Sequence, residues 1–435
     1  MSVISELHLV YSIIRWLLYI GFNKIYTALR NIKWRWDAIY DQHQDPDTYE
    51  RCAHVMTILY KYRLDDWINA KLDDFILAHD RFENPDFIHR DDVSLYAIDS
   101  THAIFVQCSN SVYQKNFFIL GQYYGAEKVI TMSLKYFNQL AERLEENQTK
   151  IIFIHNQGRC GSTLLTSLFK ETGRCLCISE PHCYNNVCYN IYTKRLWYGD
   201  RAKRIFRNMV RVLCKPYHEL DNDVLAYVIK PTALSMPSME LTREAFPEST
   251  LFFMYRDPTA MSVSLRRAGE AMNSLKLLYH LPNIPNIVSF LLSLYGHVDI
   301  NFCHWTCELH AELELGYRTS CMTMYYYLKN LGRGIDIHGV RYLDLINSKS
   351  TMTRLILDIC GFPEQLSSKA IEALEKDSQK TSPVSRDALK VLMPNPPKVT
   401  TEFLQVARKM ADEFGVPGPD EWKEESFHLN NSLIP

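Results

Sequence analysis

The feature that most constrains this chain is the eleven-residue segment Ile154–Leu164, with the sequence IHNQGRCGSTL. An apolar run over 151–154 leads into it, and the apolar positions Leu164, Leu165 and Leu168 continue it. This order predicts a strand, a loop of small residues and the first turn of a helix. Such a loop directs consecutive backbone N–H groups, and the positive end of the helix dipole, at one point. The segment therefore predicts an anion site, typically for phosphate or sulfate.

The residues of this loop separate classes of enzyme. A Walker A loop needs Gly-Lys followed by serine or threonine, because the lysine reaches the β- and γ-phosphates and the hydroxyl holds magnesium. Here Gly161 is followed directly by Ser162 and Thr163, and the only cation of the loop is Arg159. The loop therefore disfavours an ordinary magnesium-dependent ATPase or kinase.

The composition is that of a globular protein. A chain of 435 residues, 47% of them hydrophobic, can bury a large core in one or two domains. The net charge of −2 gives no indication of a nucleic-acid partner. The twelve cysteines do not make a disulfide scaffold in a chain of this length, and their groups at 175–188 and 303–307 lack the paired spacing of structural zinc sites. Buried free thiols are the favoured interpretation.

The N-terminal segment Leu7–Leu29 is strongly apolar. Its polar residues recur every three or four positions, so a helix would gather them into one narrow stripe. They are His8, Ser12, Arg15, Tyr19, Asn23, Thr27 and Arg30. The segment therefore predicts an amphipathic helix.

The surroundings of this helix bear on its location. Arg15 interrupts a clean membrane span, and the cations all follow the apolar segment, which disfavours an anchor with the rest of the chain in the lumen. Two interpretations stay open with equal weight: a helix on a membrane surface, and a helix docked on the protein's own core. A cytoplasmic or peripheral membrane location is favoured, with the Golgi lumen as the alternative.

Two domains are expected along the chain. Residues 34–90 are interpreted as short helices, so residues 1–90 form a helical N-terminal region and residues 91–435 the main domain. Extended runs are predicted at 93–98 and 103–107, followed by an amphipathic helix over 126–147.

The main domain alternates strands with helices. Apolar runs at 175–179, 226–229, 251–255 and 339–342 predict strands, and residues 259–330 are interpreted as helices broken at Pro282 and Pro285. This alternation is typical of an α/β fold, a parallel sheet with helices on both faces. Ligands of such sheets bind beyond the carboxyl ends of the strands, where Glu180, Lys230 and Arg256 are expected beside the anion loop.

Three motifs resemble those of the sulfotransferase superfamily, which transfers a sulfuryl group from 3′-phosphoadenosine 5′-phosphosulfate (PAPS). Gly158–Leu164 resembles its 5′-phosphosulfate loop. Phe253–Pro258, continuing to Ser264, resembles its 3′-phosphate motif. Val340–Leu345 is similar to its later Tyr-Glu-Asp-Leu motif, although Leu343 stands where glutamate is common.

The resemblance covers roughly residues 93–390 and implies a three-layer, P-loop NTPase-like domain. It implies that residues of the loop, of the 3′-phosphate motif and of two later segments bind the donor. These are Arg159, Cys160, Gly161, Ser162, Thr163, Leu164, Arg256, Ser264, Tyr342, Ser382 and Arg386. Helices at about 265–330 would cover the acceptor pocket.

The layout is most similar to the tyrosylprotein-sulfotransferase branch. That resemblance implies Glu180 as the catalytic base and Lys230, with Arg159, as cations that neutralise the leaving oxygen. Cys160 departs from the usual serine or threonine. The resemblance implies no metal, because the sulfuryl group itself carries little charge. The acceptor would be a hydroxyl or an amine.

Each of these residues also has a structural interpretation. Arg159 could be a surface residue beside a turn, and Glu180 could cap the segment that follows it. Lys230 could be an exposed strand end, and Arg256 could pair with Asp257. The functional interpretations are favoured because the candidates are expected at one edge of the sheet.

A basic stretch, Lys194–Lys215, contains eight cations and one carboxylate. On a helix, Arg204, Arg207, Arg211 and Lys215 would share one face. A solvated face is the favoured interpretation, and attraction of the anionic donor or an acidic acceptor is the alternative.

Three functions remain in competition. An active PAPS-dependent sulfotransferase is favoured. A catalytically inactive relative that binds nucleotide or partners is the second hypothesis, and a phosphotransferase with an irregular P-loop is the third. The sequence does not identify the acceptor.

Overall fold

The computed structural model describes residues 3–44, 46, 48–109, 112–113, 117–144, 149–217, 224–280, 290–296, 311–376, 378–380 and 382–423. The chain divides into two compact units. The first unit contains Met1–Gln148, Pro181–Asn222 and Leu294–Gly296, and the second contains Thr149–Glu180, Asp223–Ser293 and His297–Pro435. This division does not coincide with the boundary expected between residues 90 and 91.

The first unit is built on an antiparallel five-stranded sheet of order β2-β1-β5-β4-β3. Its strands are β1 (Ala53–Lys61), β2 (Phe75–Glu83), β3 (Val93–Ile98), β4 (His102–Cys108) and β5 (Ala126–Ser133). Helix labels run in chain order through both units. Its helices are α1 (Val3–Trp36), α2 (Ile39–Gln44), α3 (Phe118–Gly125), α4 (Leu134–Arg143), α6 (His182–Cys188) and α7 (Gly199–Leu213).

Three expectations for this region need correction. Residues 53–61 and 75–83 are strands rather than short helices, so residues 1–90 are not purely helical. Residues 126–133 form a strand, and the helix expected over 126–147 begins only at Leu134. The β-branched run Val129–Thr131 favours a strand, whereas the apolar spacing that continues beyond it also fits a helix.

The strands predicted at 93–98 and 103–107 exist as β3 and β4, but they do not belong to the parallel sheet. They pair antiparallel with each other, and β4 pairs antiparallel with β5. They were expected in the main domain only because they lie within residues 91–435.

The basic face of α7 is used for packing within the first unit. Arg204 forms an ion pair with Glu142 at 2.6 Å, and the Arg211 guanidinium donates to the Leu144 carbonyl at 2.7 Å. Lys215 is buried and donates to three backbone carbonyls. Arg204 and Arg211 therefore connect α7 to α4 and Leu144, and Lys215, just beyond α7, is anchored in the core. Arg204 and Arg207 are exposed, in line with the solvated face that was favoured.

The second unit is an α/β domain with a parallel five-stranded sheet of order β10-β9-β6-β8-β7. Its strands are β6 (Lys150–Asn156), β7 (Cys175–Ser179), β8 (Ala226–Lys230), β9 (Thr250–Tyr255) and β10 (His338–Arg341). Its helices are α5 (Ser162–Glu171), α8 (Met239–Ala245), α9 (Pro258–Gly269), α10 (Asn273–His280), α11 (Ala311–Gly332), α12 (Tyr342–Asn347), α13 (Lys349–Ile359), α14 (Ser367–Ala373), α15 (Arg386–Leu392) and α16 (Thr401–Phe414). The strands predicted for this sheet are confirmed to within two residues at each end.

Helices cover both faces of the parallel sheet. Ile152 and Phe252 pack on one face with apolar side chains of α5, α13 and α14. Because neighbouring residues of a strand point to opposite faces, Phe153 and Phe253 lie on the other face. There Phe253 stacks on Tyr327 of α11, with ring centroids 4.4 Å apart. The expected arrangement of helix, sheet and helix is therefore present in this unit.

The described parts of 265–330 are helical, as expected, except for the short connections 270–272 and 294–296. Residues 281–289, with the breaks expected at Pro282 and Pro285, and residues 297–310 lie outside the described residues. The ten cysteines in the described ranges are free thiols, and all but Cys175 are buried. The group at Cys303 and Cys307 lies outside those ranges. No helix in the part of the chain that the structure describes is long and apolar enough to cross a membrane.

A cluster of four histidines lies under Trp34 in the first unit. Nδ1 of His54 is 2.8 Å from Nδ1 of His43, and Nε2 of His54 is 2.9 Å from Nδ1 of His79. The His102 ring stacks on His43. Burial, together with the neighbouring histidines, lowers the pKa of His43 to about 3 and that of His54 to about 2.

Because these histidines are buried in their neutral form, we expect the free energy of unfolding to decrease in acid. The folded-state pKa values lie below the ordinary value of about 6.5, so the unfolded chain binds more protons than the folded chain between about pH 6.5 and pH 3. The stability from the neutral rings is therefore full above about pH 6.5 and is lost as the pH falls, by about 1.4 kcal/mol per pH unit for each proton taken up. Urea unfolding at several pH values measures this slope.

The matched variants are His54→Gln, which removes one buried titrating ring, and His8→Gln, which removes an exposed one. We expect the slope to become shallower in the first variant and to stay unchanged in the second. An unchanged slope in His54→Gln would show that protonation of the cluster is not linked to unfolding.

Candidate active site

The candidate site is built around the loop between β6 and α5, which confirms the predicted strand, loop and helix. Gly158, Arg159 and Gly161 have positive φ angles of 78°, 49° and 91°. Arg159 is not a glycine, and a side chain held in this region costs about 1–3 kcal/mol and is typical of functional sites. The first N–H groups of α5 have no acceptor within the helix, so the loop can present donors to an anion.

Two buried amide side chains hold the loop against the neighbouring strands. Asn156 accepts from the Gly158 N–H at 2.9 Å and donates to the Pro231 carbonyl, just beyond β8, at 2.8 Å. Gln157 accepts from the Arg256 N–H, just beyond β9, at 2.9 Å. Sequence reasoning missed both residues, although an amide directly after an apolar strand is a signal of a buried polar contact.

Tyr342 connects the loop to Arg256, just beyond β9. A Cβ atom at Gly161 would lie 2.5 Å from Cδ2 of Tyr342, so the ring packs directly on the loop. The Arg256 guanidinium lies 4.9 Å from the centroid of the same ring. The carboxylate of Asp257 instead caps α9 by accepting from the Ala260 N–H at 2.8 Å. Within the described residues, Arg256 and Asp257 form no ion pair.

The Arg159 side chain is half-buried and bonded, which contradicts its interpretation as a surface residue. Its guanidinium donates to the Ser264 hydroxyl and the Gln379 amide oxygen, both at 3.3 Å, and to the Val384 carbonyl at 3.4 Å. Burial lowers the pKa of Arg159, the Glu180 carboxylate raises it, and the Arg256 cation lowers it. Two cations and one carboxylate therefore act on one another at this edge of the sheet.

Glu180 and Lys230 form an ion pair at the ends of β7 and β8. Nζ of Lys230 is 2.5 Å from Oε1 of Glu180, and the Glu180 N–H donates to the Lys230 carbonyl at 2.6 Å. The Lys230 side chain is 0% exposed and that of Glu180 is 21% exposed. Lys230 is therefore not an exposed strand end. Glu180 has a positive φ of 57°, a second strained backbone position at this site.

The other loop residues that were predicted to bind the donor have buried side chains. The Cys160 thiol donates to the Met254 carbonyl at 3.1 Å inside the core, where burial raises its pKa. Leu164 also packs in the core, so these two residues can contribute only backbone groups to a ligand. Ser162 and Thr163 are buried in the first turn of α5.

The segment over 379–386 contacts the loop through two residues that sequence reasoning did not predict. Gln379 accepts from Arg159 and lies 3.5 Å from the Thr163 hydroxyl, and Val384 accepts from Arg159. Ser382 is buried, and its hydroxyl has no hydrogen-bond partner among the described residues. Arg386 begins α15 and is exposed. A role for Ser382 and Arg386 toward the donor stays a prediction.

Within the described residues, no group of three or more His, Cys, Asp or Glu side chains is arranged to hold a metal ion. In the histidine cluster of the first unit, His54 bonds to His43 through one ring nitrogen and to His79 through the other.

Comparisons with known proteins give only a partial likeness. No family model matches the chain, and no curated protein matches it. Among solved structures, the sulfotransferase domain of the Synechococcus PCC 7002 olefin synthase matches 63% of this chain and 99% of its own, with 12% identity and a TM-score of 0.31. Sulfotransferase STF9 from Mycobacterium avium matches 62% and 80%, with the same identity and TM-score. The assignment of function therefore rests on the geometry of this chain.

The contact between Gly161 and Tyr342 generates a stability prediction. Gly161→Ala places a side chain at a positive φ, which costs about 1–2 kcal/mol, and also forces the Tyr342 ring away, which adds about 1–3 kcal/mol. Gly173→Ala is the matched control, because Gly173 has a φ of 69° and nothing within 4 Å of the added atom. Urea unfolding compares the two. Equal losses would show that the ring moves aside freely.

Proposed function

We propose that this protein is a sulfotransferase that moves a sulfuryl group from PAPS to an acceptor hydroxyl or amine. One observation carries the proposal. An N–H-lined loop without a Walker lysine lies beside two arginines and a Glu–Lys ion pair, all at the carboxyl edge of one parallel sheet.

The charges of the site suit a donor with anionic groups at both ends. The loop over 158–162 would bind the 5′-phosphosulfate through backbone N–H groups. Arg256 and Ser264 would bind the 3′-phosphate. Because Arg159 bonds to Ser264 and its pKa is lowered by the Arg256 cation, an anion between these arginines would relieve their repulsion.

The chemistry follows from charge. The acceptor oxygen or nitrogen attacks sulfur in line, and the bond from sulfur to the bridging oxygen of the 5′-phosphate breaks. The bonding electrons pass to that oxygen, which leaves as part of 3′-phosphoadenosine 5′-phosphate. Glu180 takes the proton that the acceptor loses, and Lys230 neutralises the charge on the leaving oxygen. Fixed cations of this kind act without reorganisation because burial already holds them in place.

The direct Glu180–Lys230 contact also bears on the order of events. Nζ of Lys230 is bonded to Oε1 of Glu180 at 2.5 Å. As negative charge grows on the bridging oxygen, that oxygen would compete with Glu180 for the Lys230 ammonium, and Glu180 would become available to accept a proton. The same pair would therefore couple loss of the leaving group to activation of the acceptor.

The assignment of the 3′-phosphate site is tested with Arg256→Ala. Loss of this charge-assisted contact should weaken binding of 3′-phosphoadenosine 5′-phosphate by about 2 kcal/mol or more. Adenosine 5′-phosphosulfate, which lacks the 3′-phosphate, should bind nearly as before. Calorimetry measures both, with Arg333→Ala as a control because Arg333 is an exposed arginine paired with Glu240. Equal losses for the two ligands would contradict the assignment, and preference for ATP with magnesium would favour a phosphotransferase.

The roles of Glu180 and Lys230 are tested by comparing three variants. Glu180→Gln cannot accept a proton, so turnover should fall about a hundredfold or more while nucleotide affinity holds. It also leaves the buried Lys230 ammonium unpaired, which should cost about 3–5 kcal/mol of stability. Lys230→Met leaves a partly exposed carboxylate and should cost less. The double variant removes both charges and should regain stability without regaining turnover.

Steady-state turnover, calorimetry and urea unfolding give these three measurements. Retained turnover in Glu180→Gln would exclude it as the base. Turnover that returns with stability in the double variant would show a purely structural ion pair. Nucleotide binding without turnover for any acceptor in the unmodified protein would favour the inactive relative.

A further inference from the structure

Helix α1 is attached to the first unit by its polar side. Ser12, Tyr19 and Asn23 belong to the predicted polar stripe, and each is less than a tenth exposed. The stripe was expected to separate polar from apolar faces, and it does. These three residues face the protein rather than water. Trp16 is buried on the same side and packs with Leu64 and Ile68, so the side of α1 that contacts the fold is partly polar and partly apolar.

The reason lies in the edge of the antiparallel sheet. β2 is an edge strand, and carbonyls at alternate residues of an edge point outward from the sheet. Two such carbonyls, at positions 75 and 77, accept hydrogen bonds from α1, and so does the carbonyl of Asp73 in the turn just before β2. The donors are Tyr19, Asn23, Tyr26 and Arg30, at 2.9 to 3.4 Å. Polar side chains are therefore required on the inner side of the helix.

The opposite side of α1 is an exposed apolar stripe. Residues on it recur at helical spacing, and their side chains are 52% to 69% exposed. They include Leu7, Ile14, Leu18, Ile25, Leu29 and Ile32. At 1.5 Å per residue this stripe is about 40 Å long. An exposed apolar surface of this extent marks a site of interaction.

Charges along the helix indicate what the stripe contacts. α1 has five basic residues and one acidic residue, Arg15, Lys24, Arg30, Lys33, Arg35 and Glu6. Lys24, Lys33 and Arg35 are exposed beside the stripe. Long basic side chains flanking an apolar face suit an anionic lipid surface, because their stems lie against lipid and their charges reach the headgroups. Two copies of α1 packed face to face would instead bring these cations together with few acids to balance them.

We propose that the apolar stripe of α1 docks the protein on the surface of a bilayer that contains anionic lipid. The helix lies in the interfacial plane while its polar side remains bonded to β2. This inference concerns only the first unit and is independent of the proposed chemistry of the second.

The test uses the full chain and phosphatidylcholine vesicles with and without phosphatidylserine. The variant Leu18→Gln/Ile25→Gln/Leu29→Gln removes three side chains of the stripe and keeps residues with good helix propensity. The matched control, Leu196→Gln/Val391→Gln/Leu392→Gln, removes three exposed apolar side chains elsewhere. Co-sedimentation gives the bound fraction, and circular dichroism and analytical ultracentrifugation give folding and association state.

The unmodified protein and the control should bind vesicles that contain phosphatidylserine. Their binding should be at least about tenfold weaker when the anionic lipid is omitted or the salt concentration is raised. The α1 variant should lose at least about tenfold in vesicle binding while it stays folded. Equal binding by the α1 variant and the control would overturn the proposal. The proposal would also be overturned if the unmodified protein were a dimer, the α1 variant were a monomer, and the two bound vesicles equally. The stripe would then be an interface between two copies.

Discussion

The parallel pairing of β6 with both β8 and β9 is the constraint on which the candidate site depends. This pairing brings Asn156 opposite Met254 and Phe153 opposite Ile229, so three strands end at one edge. Beyond that edge the backbone has no further ladder partners, and side-chain amides take over. Asn156 and Gln157 continue the contacts of β6 toward β8 and β9. The loop is therefore positioned by the sheet rather than by its own sequence alone.

The Glu180–Lys230 pair shows how a buried cation is compensated at the same edge of the sheet. A fully buried ammonium is unfavourable unless a partner compensates it. Lys230 has that partner in Glu180, whose carboxylate still reaches the surface. One member of the pair is thus held rigidly in the core, while the other faces outward. This asymmetry would let an incoming anion compete for the lysine without disturbing the sheet.

Much of the parallel sheet could be predicted from the sequence, because its strands have clear local sequence patterns. Strands such as Cys175–Ser179 are short apolar runs that end in turn residues or prolines, which leaves little ambiguity. The strand over 126–133 was mistaken for a helix because its apolar spacing runs on into α4 without a break. Glu180, Lys230 and Arg256 could be identified because they follow strands. Gln379 could not, because its contact with Arg159 joins residues distant in sequence. For α1, the hydropathy pattern defines two faces but not which of them the fold covers.

Arg159 and Glu180 share a backbone property with consequences for engineering. Both have a positive φ without being glycine, at 49° and 57°. Glycine would relieve the strain at either position, since it alone adopts this conformation without steric cost. Selection for thermal resistance alone would therefore favour glycine at position 159, at the expense of the arginine's charge. It would retain Glu180, because that carboxylate compensates the buried Lys230 ammonium. A stabilised version of this protein would have to gain its stability elsewhere in the chain.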